Sequence, residues 1–274
     1  MPEGDTVFLT GRRLDAALTG GTLSRGEIRH PALATVNLAG RSVLGVRTVG
    51  KHIFIRFDGF GRFEDGASLH NHLRMDGDWQ LYRPGGRWRA PSHEARVILA
   101  NDHKVAVGFR LHDLALLRTD QESTVVSHLG PDLLGPDWND QARAEAVRRL
   151  AAQRDREIGL ALADQTVMAG VGNLYKTEVC FLLGVSPWSP VSEVDPDRAV
   201  RLCRELLLRN AWHPQQNTTG GLGHGQQHWA YMRTGRPCRR CGGPIRSGLQ
   251  DTHVPARHTW YCPTCQPGPH PERS

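Results

Sequence analysis

Apolar positions recur at two periods along this chain, and the period changes once near its middle. At the start, Val7, Leu14 and Leu18 fall on one helical face with Gly11 small among them, which predicts a helix running almost to the first residues. Pro2 and Glu3 stand at its head, with the proline at the first helical position, where its missing N–H does no harm and an acidic neighbour suits the helix dipole. The segments SVLGVRTVGKHIFIRF, ASLHNHL, ARVILA and KVAVGF then alternate β-branched or aromatic residues with polar ones, the last two around the turn-forming Asn101-Asp102. Alternation with short turns predicts antiparallel sheets packed as a sandwich or barrel. After SHLGPDLLGPDW the helical period returns in DQARAEAVRRLAAQ, EIGLALADQ, NLYKTEVCFLL and PDRAVRLCRELLLRN, the last announced by Asp195 as N-cap with Pro196 in the first turn. A glycine-rich polar loop, QQNTTGGLGHGQQ, leads to a cysteine-bearing module, and the terminal PGPHPERS is expected to be disordered.

Composition narrows this picture modestly. A length of 274 residues suits one large or two ordinary domains, and no apolar run approaches a membrane span. No charged-then-apolar leader precedes the first helix, so the protein is expected to be soluble and cytoplasmic, with no membrane partner. A net charge of +6 and a pI of about 9.3 favour a polyanionic partner. The basic side is almost all arginine; Lys51, Lys104 and Lys176 are the only lysines, so each becomes a candidate for a specific task.

Two C-x-x-C knuckles, Cys238/Cys241 and Cys262/Cys265, are separated by twenty residues. Four thiolates at this spacing converge on one tetrahedral centre, so one structural zinc ion is expected, closed to substrate because the protein supplies every ligand. Cys180 and Cys203 fall in helical apolar patterns and read as core thiols; His213, His224 and His228 are less suited to the metal when four cysteines are present. Arg239, Arg240, Arg246 and Arg257 make the module basic, which fits either a nucleic-acid backbone or a solvated surface.

PEGDT, VGKH, LGPDLL, MAGVGNLYKTE and ARHTWYCPTCQ, in that order, resemble the formamidopyrimidine-DNA glycosylase and endonuclease VIII family of base-excision repair enzymes over nearly the whole chain. The resemblance implies an α+β fold: an N-terminal β-sandwich headed by a helix over 1–120, a linker over 121–135, a helix–two-turn–helix DNA-binding domain over 136–225, a zinc-ribbon hairpin over 228–267, and a disordered tail over 268–274. It implies a bifunctional DNA glycosylase and AP lyase acting as a monomer on damaged DNA in the cytoplasm, at the nucleoid. With Met1 removed, the Pro2 nitrogen is the implied nucleophile at C1′ of the damaged nucleoside. An α-amino group titrates at about 7.7–8.0, lower still at a helix N-terminus, and a secondary amine gives a cationic iminium directly. Glu3 is the implied proton donor to the opening sugar.

Lys51 matches the hairpin lysine that assists base loss or β-elimination, and Arg257 the zinc-finger arginine that assists δ-elimination. Asn173 matches the asparagine that binds flanking phosphates, Lys176 follows it, and Glu178 matches a carboxylate near the reaction centre or a helix-surface residue. Met75 matches a wedge that fills the stack behind a flipped base, with His72, Leu73 and Arg74 as alternatives; His128 stands near a DNA-binding arginine position. The chain departs from the 8-oxoguanine branch, carrying FRLHDLALL where that branch has a loop with arginine and phenylalanine. This favours oxidised pyrimidines over a purine-type glycosylase of the same fold; a non-catalytic zinc-ribbon DNA-binding protein is the reading from another class.

Overall fold

The computed structural model describes residues 2–250 and 257–271, and the chain divides into two units, Met1–His128 and Leu129–Ser274. The first unit opens with α1 (Gly4–Leu18), whose N-cap is Glu3, so Pro2 precedes the cap instead of occupying the first helical position. Eight strands follow: β1 (Arg25–Ile28), β2 (Val43–Val49), β3 (His52–Phe57), β4 (Ala67–His72), β5 (Asp78–Tyr82), β6 (Ala95–Ala100), β7 (Val105–Phe109) and β8 (Asp113–Arg118). They form two four-stranded antiparallel sheets, ordered β1-β6-β7-β5 and β2-β3-β4-β8. Val7, Leu14 and Leu18 of α1 share one core with Ile53, Ile55 and Phe57 of β3, Leu69 of β4 and Val97 and Leu99 of β6. Strands β3 and β4 each bury three residues in a row, Ile53–Ile55 and Ala67–Leu69. Segment FRLHDLALL is not a loop throughout, because its last five residues and the next form β8, paired with β4 from His72↔Asp113 to Ala67↔Arg118.

The stretch 121–135 also carries structure. It holds α2 (Glu122–Val126), and the carboxylate of Glu122 accepts hydrogen bonds from Arg47, Arg56 and Ser68 on β2, β3 and β4. The boundary between units falls after His128, and Leu133 already belongs to the helical core.

In the second unit α3 (Asp140–Ala151), α4 (Ile158–Ala163), α5 (Asn173–Leu183) and α6 (Pro196–Asn210) surround a core that includes Leu150, Leu162, Tyr175, Cys180, Cys203 and Leu207. Asp195 caps α6, its side chain accepting from the amides of Asp197 and Arg198. α5 is the centre of the unit: every residue from Val171 to Cys180 is buried, and Gly184 ends the helix in the left-handed region at φ 74°. The cysteine module adds a hairpin of β9 (Arg246–Leu249) and β10 (His258–Tyr261) to the same unit. The expectation of a disordered tail is corrected through Pro271: His270 stacks on Tyr261 with ring centroids 4.4 Å apart, Ser186 donates a hydrogen bond to the Pro269 carbonyl, and Pro271 packs over Gly248. Apolar and ring contacts in the tail replace the hydration that its polar composition suggested. Residues 272–274 of that tail lie outside the described residues.

Candidate active site and metal centre

In the first unit the chain's beginning and two tight turns converge on one end of the β2-β3-β4-β8 sheet. Gly50 and Lys51 alone connect β2 to β3, and Gly50 sits at φ 57°, the conformation that the first central residue of a primed hairpin turn demands. Lys51 is therefore presented at a hairpin tip. His52 pairs with His72 across β3 and β4, so the turn after β4, Arg74 to Asp76, lies at the same end as Lys51. Met75 is at its apex and is 58 % exposed, while Arg74 adopts φ 52°.

α1 reaches that end too. Asp15 Oδ1 accepts from Val46 N at 3.0 Å, and a Cβ at Gly11 would stand 2.3 Å from Thr48 Cγ2, so helix and strand run in opposite directions. At about 1.5 Å per helical residue and about 3.4 Å per strand residue, the seven residues from Gly11 back to Gly4 span about three strand residues beyond Thr48. On that spacing the head of α1, just after Pro2 and Glu3, comes level with Lys51. Glu3 is fully buried and Pro2 half-buried.

Behind the tip stands a group of imidazoles. ASLHNHL alternates, so His70 and His72 share the outer face of β4, next to His52 on β3. His52 Nδ1 and His70 Nε2 are 2.9 Å apart, sharing one proton; the His72 ring lies 5.2 Å from His52 edge-on, and His128 6.4 Å away. Burial, then the charges of His70, His72 and His128, pushes His52 down to about 3. His72 falls to about 4 through burial and the nearby Arg74 and Lys51, and His70 is lowered by burial. The wall is neutral at ordinary pH. His72 Nδ1 accepts the amide hydrogen of Arg74 at 2.9 Å, which leaves its Nε2 as the proton-bearing nitrogen, and Arg74 pairs with Asp113. His52 and His70 went unremarked in the sequence; the signal was the i, i+2 histidines of a strand beside a Lys-His turn.

The second unit holds the remaining candidates. Asn173 opens α5, and its Nδ2 donates to the His258 carbonyl at 2.9 Å, which ties the helix start to the strand beside Arg257. Its Oδ1 is buried without a hydrogen-bond partner. Arg257 is exposed, at the start of β10's approach. Three further expected contacts are buried. Leu73, 2 % exposed, belongs to the sandwich core, and Lys176 lies inside the unit on α5. Glu178 is wholly buried: it accepts from Trp229 N at 2.7 Å, Ala230 N and Tyr231 N at 2.8 Å each, and from the Thr218 hydroxyl. It is an anchor for the chain entering the cysteine module. An apolar helix surrounding three ionisable or amide side chains hid this from sequence.

The four cysteine sulfurs all lie within 4.8 Å of one another, with Cys238–Cys265 at 3.9 Å and Cys241–Cys262 at 3.5 Å. Zinc–sulfur bonds of about 2.3 Å in a tetrahedron put sulfurs about 3.8 Å apart, whereas a disulfide needs about 2.05 Å. The donor set and spacing fit a closed metal centre, and among the described residues no other group of three or more potential ligands does.

Comparison with known proteins places these features in one lineage. Residues 1–114 match the formamidopyrimidine-DNA glycosylase N-terminal domain and residues 129–219 the formamidopyrimidine-DNA glycosylase H2TH domain. A "Probable endonuclease 8 2" of Streptomyces coelicolor is 48% identical over 99% of this chain and 96% of its own. A "DNA-(apurinic or apyrimidinic site) lyase Nei2" of Mycolicibacterium smegmatis is 43% identical over 97% of this chain and 99% of its own. In fold, the chain is similar to Lactococcus lactis formamidopyrimidine-DNA glycosylase bound to DNA containing an AP site, with a TM-score of 0.76 at 22% identity over 97% of this chain and 100% of that one. No helix among the described residues is long and apolar enough to cross a membrane.

Proposed function

The chain belongs to the formamidopyrimidine-DNA glycosylase and endonuclease VIII family, and on that premise we propose that it is a bifunctional DNA glycosylase and AP lyase that removes oxidised pyrimidines through Pro2. The observation that carries this reading is the antiparallel docking of α1 on β2, Asp15 on Val46 and Gly11 on Thr48, whose spacing directs the Pro2–Glu3 end of the helix toward the Lys51 turn. Once Met1 is removed, the secondary amine of Pro2 attacks C1′, the bond from C1′ to the base breaks, and the base departs with the bonding pair and a proton. Glu3 protonates the ring oxygen as the sugar opens, leaving a cationic iminium between Pro2 and C1′. Loss of a C2′ proton feeds electrons into that iminium and expels the 3′ phosphate; a second elimination expels the 5′ phosphate. Lys51 assists base loss and the first elimination, and Arg257 the second.

The base must leave the stack first, and refilling the hole offsets a few kcal/mol of lost stacking. Met75 is unbranched and stands at a turn apex, which suits it to that wedge; His72 through its Nε2 hydrogen and Arg74 flank it, and His128 lies beyond the imidazole wall. Asn173 holds flanking phosphates near Arg257. One zinc ion on Cys238, Cys241, Cys262 and Cys265 supports the hairpin that bears Arg257 and takes no part in the reaction. Pyrimidine preference is supported by relatives named endonuclease 8 and by FRLHDLALL itself, which runs from the end of β7 through a three-residue turn into the edge strand β8. The protein acts as a monomer, in the cytoplasm at the nucleoid.

Borohydride reduction on an oligonucleotide with one abasic site tests the mechanism: a covalent adduct is expected from protein beginning at Pro2. An adduct of equal yield from Pro2→Gly would refute Pro2 as the nucleophile, and no adduct at all would leave only a DNA-binding role. Excision measured on thymine glycol, dihydrouracil and 8-oxoguanine duplexes decides the branch; faster release of 8-oxoguanine opposite cytosine would replace the pyrimidine reading with the purine one.

A further inference from the structure

The glycine-rich loop before the cysteine module is held more firmly than its composition suggests. At its base, Thr218 N donates to Gln227 O at 2.8 Å, and Asn217 Oδ1 accepts from the amides of Thr219 and Gly220 at 3.1 and 2.9 Å. Glu178 takes Thr218 on one side of the loop and residues 229–231 on the other. The tip carries Leu222, which is 95 % exposed, and His224. The far side of the loop is reached from the cysteine module: Arg239, between the first two cysteines, donates through Nε to His228 O at 3.0 Å and through Nη2 to Gly225 O at 2.6 Å.

We propose that Arg239 is a positioning residue through which the metal centre sets the conformation of the 218–228 loop. A guanidinium is a rigid planar fork, so it satisfies two backbone carbonyls only if its own backbone is fixed in place. Metal ligation by Cys238 and Cys241 fixes that backbone on both sides of Arg239, and the knuckle tightens through Arg240 N to Cys238 Sγ at 3.4 Å and Gly242 N to Cys238 O at 2.9 Å. Without a metal the four sulfurs have no common ligand, the knuckle loses its geometry, and the fork leaves its carbonyls. Glu178 does not depend on the cysteines, so the base of the loop stays while its distal half is released. The loop thus reports metal loading to the surface that carries Leu222 and His224.

Hydrogen exchange on the full chain, read by mass spectrometry with metal content measured in parallel, tests this. In Arg239→Ala that retains its metal, amides of Gly221 and Gln226 are expected to exchange roughly tenfold faster or more, while Gly220, Trp229, Ala230 and Tyr231 keep wild-type protection. Arg239→Lys, with one flexible donor group in place of the fork, is expected between the two. Chelated wild-type protein is expected to match Arg239→Ala in the loop. Wild-type loop protection in metal-loaded Arg239→Ala would overturn the proposal, as would intact loop protection after chelation. Should Arg239→Ala lose its metal, metal-loaded Arg239→Lys with wild-type exchange would overturn it equally. None of these readouts depends on glycosylase chemistry, so failure of the proposed function would leave this result standing.

Discussion

The imidazole wall makes stability depend on pH in a way that one substitution isolates. His52 titrates at about 3 in the folded chain against about 6.5 when unfolded, so between those values the unfolded chain binds the extra proton. Stability is full above about pH 6.5 and falls as the pH drops toward 3. At pH 4.5 the cost for this one group is about 2.7 kcal/mol by linkage, and the limiting value, about 4.8 kcal/mol, is approached near pH 3. The groups that face it are His70 and His72 on β4, Asp113 on β8, His128 after α2, and Lys51 and Arg74 at the adjoining turns. His52→Asn removes the titration while leaving a polar side chain opposite His70. Urea unfolding from pH 7 to 4.5 is expected to show the variant gaining about 2–3 kcal/mol on wild type across that range. A difference between the two proteins that stays flat with pH would refute the wall as a set of neutral, buried histidines.

Glu178→Ala orphans the buried amides of residues 229–231, and at about 1–3 kcal/mol each it is expected to cost roughly 3–9 kcal/mol in urea unfolding; Glu178→Gln should cost less. Met75→Ala, at an exposed apex, is expected to leave the melting temperature within about 2 °C while single-turnover excision drops at least tenfold. Metal analysis is expected to return about one zinc per chain, and chelation to expose four reactive thiols by thiol titration. An uncleaved residue ahead of Pro2 is expected to abolish borohydride trapping while affinity for abasic DNA, measured by fluorescence anisotropy, changes less than threefold.

Much of the layout was legible because its causes are local. The Lys51 turn announced itself by two β-branched runs around Gly50, and the four cysteines by spacing alone. β8 was not legible: as an edge strand half-covered on both faces, its leucines do not alternate cleanly. The burial of Glu178 and Lys176 was not legible, because no helical period reveals a helix buried on every side. The hydrogen-bond partners of Asn173 and Arg239 are carbonyls 85 and 11 residues away in sequence, or 14 for the second bond of Arg239. Contacts of that kind follow from tertiary placement, which no residue pattern encodes.

The missing side chain at Gly11 has a consequence for rate. A chain terminus is ordinarily the least ordered part of a fold, and fixing one residue's backbone costs about 1–2 kcal/mol of entropy. Here Gly11 lets α1 press onto Thr48 closely enough that Gly4, Asp5 and Val7 are all buried. The ordering of the residues behind Pro2 is thereby completed when the domain folds, before any substrate arrives. A main-chain nitrogen in a pyrrolidine ring also has no rotamers to search. As the proposed nucleophile, Pro2 would therefore meet its carbon with the orientational advantage of an intramolecular reaction, and a bulkier residue at position 11 would weaken that advantage.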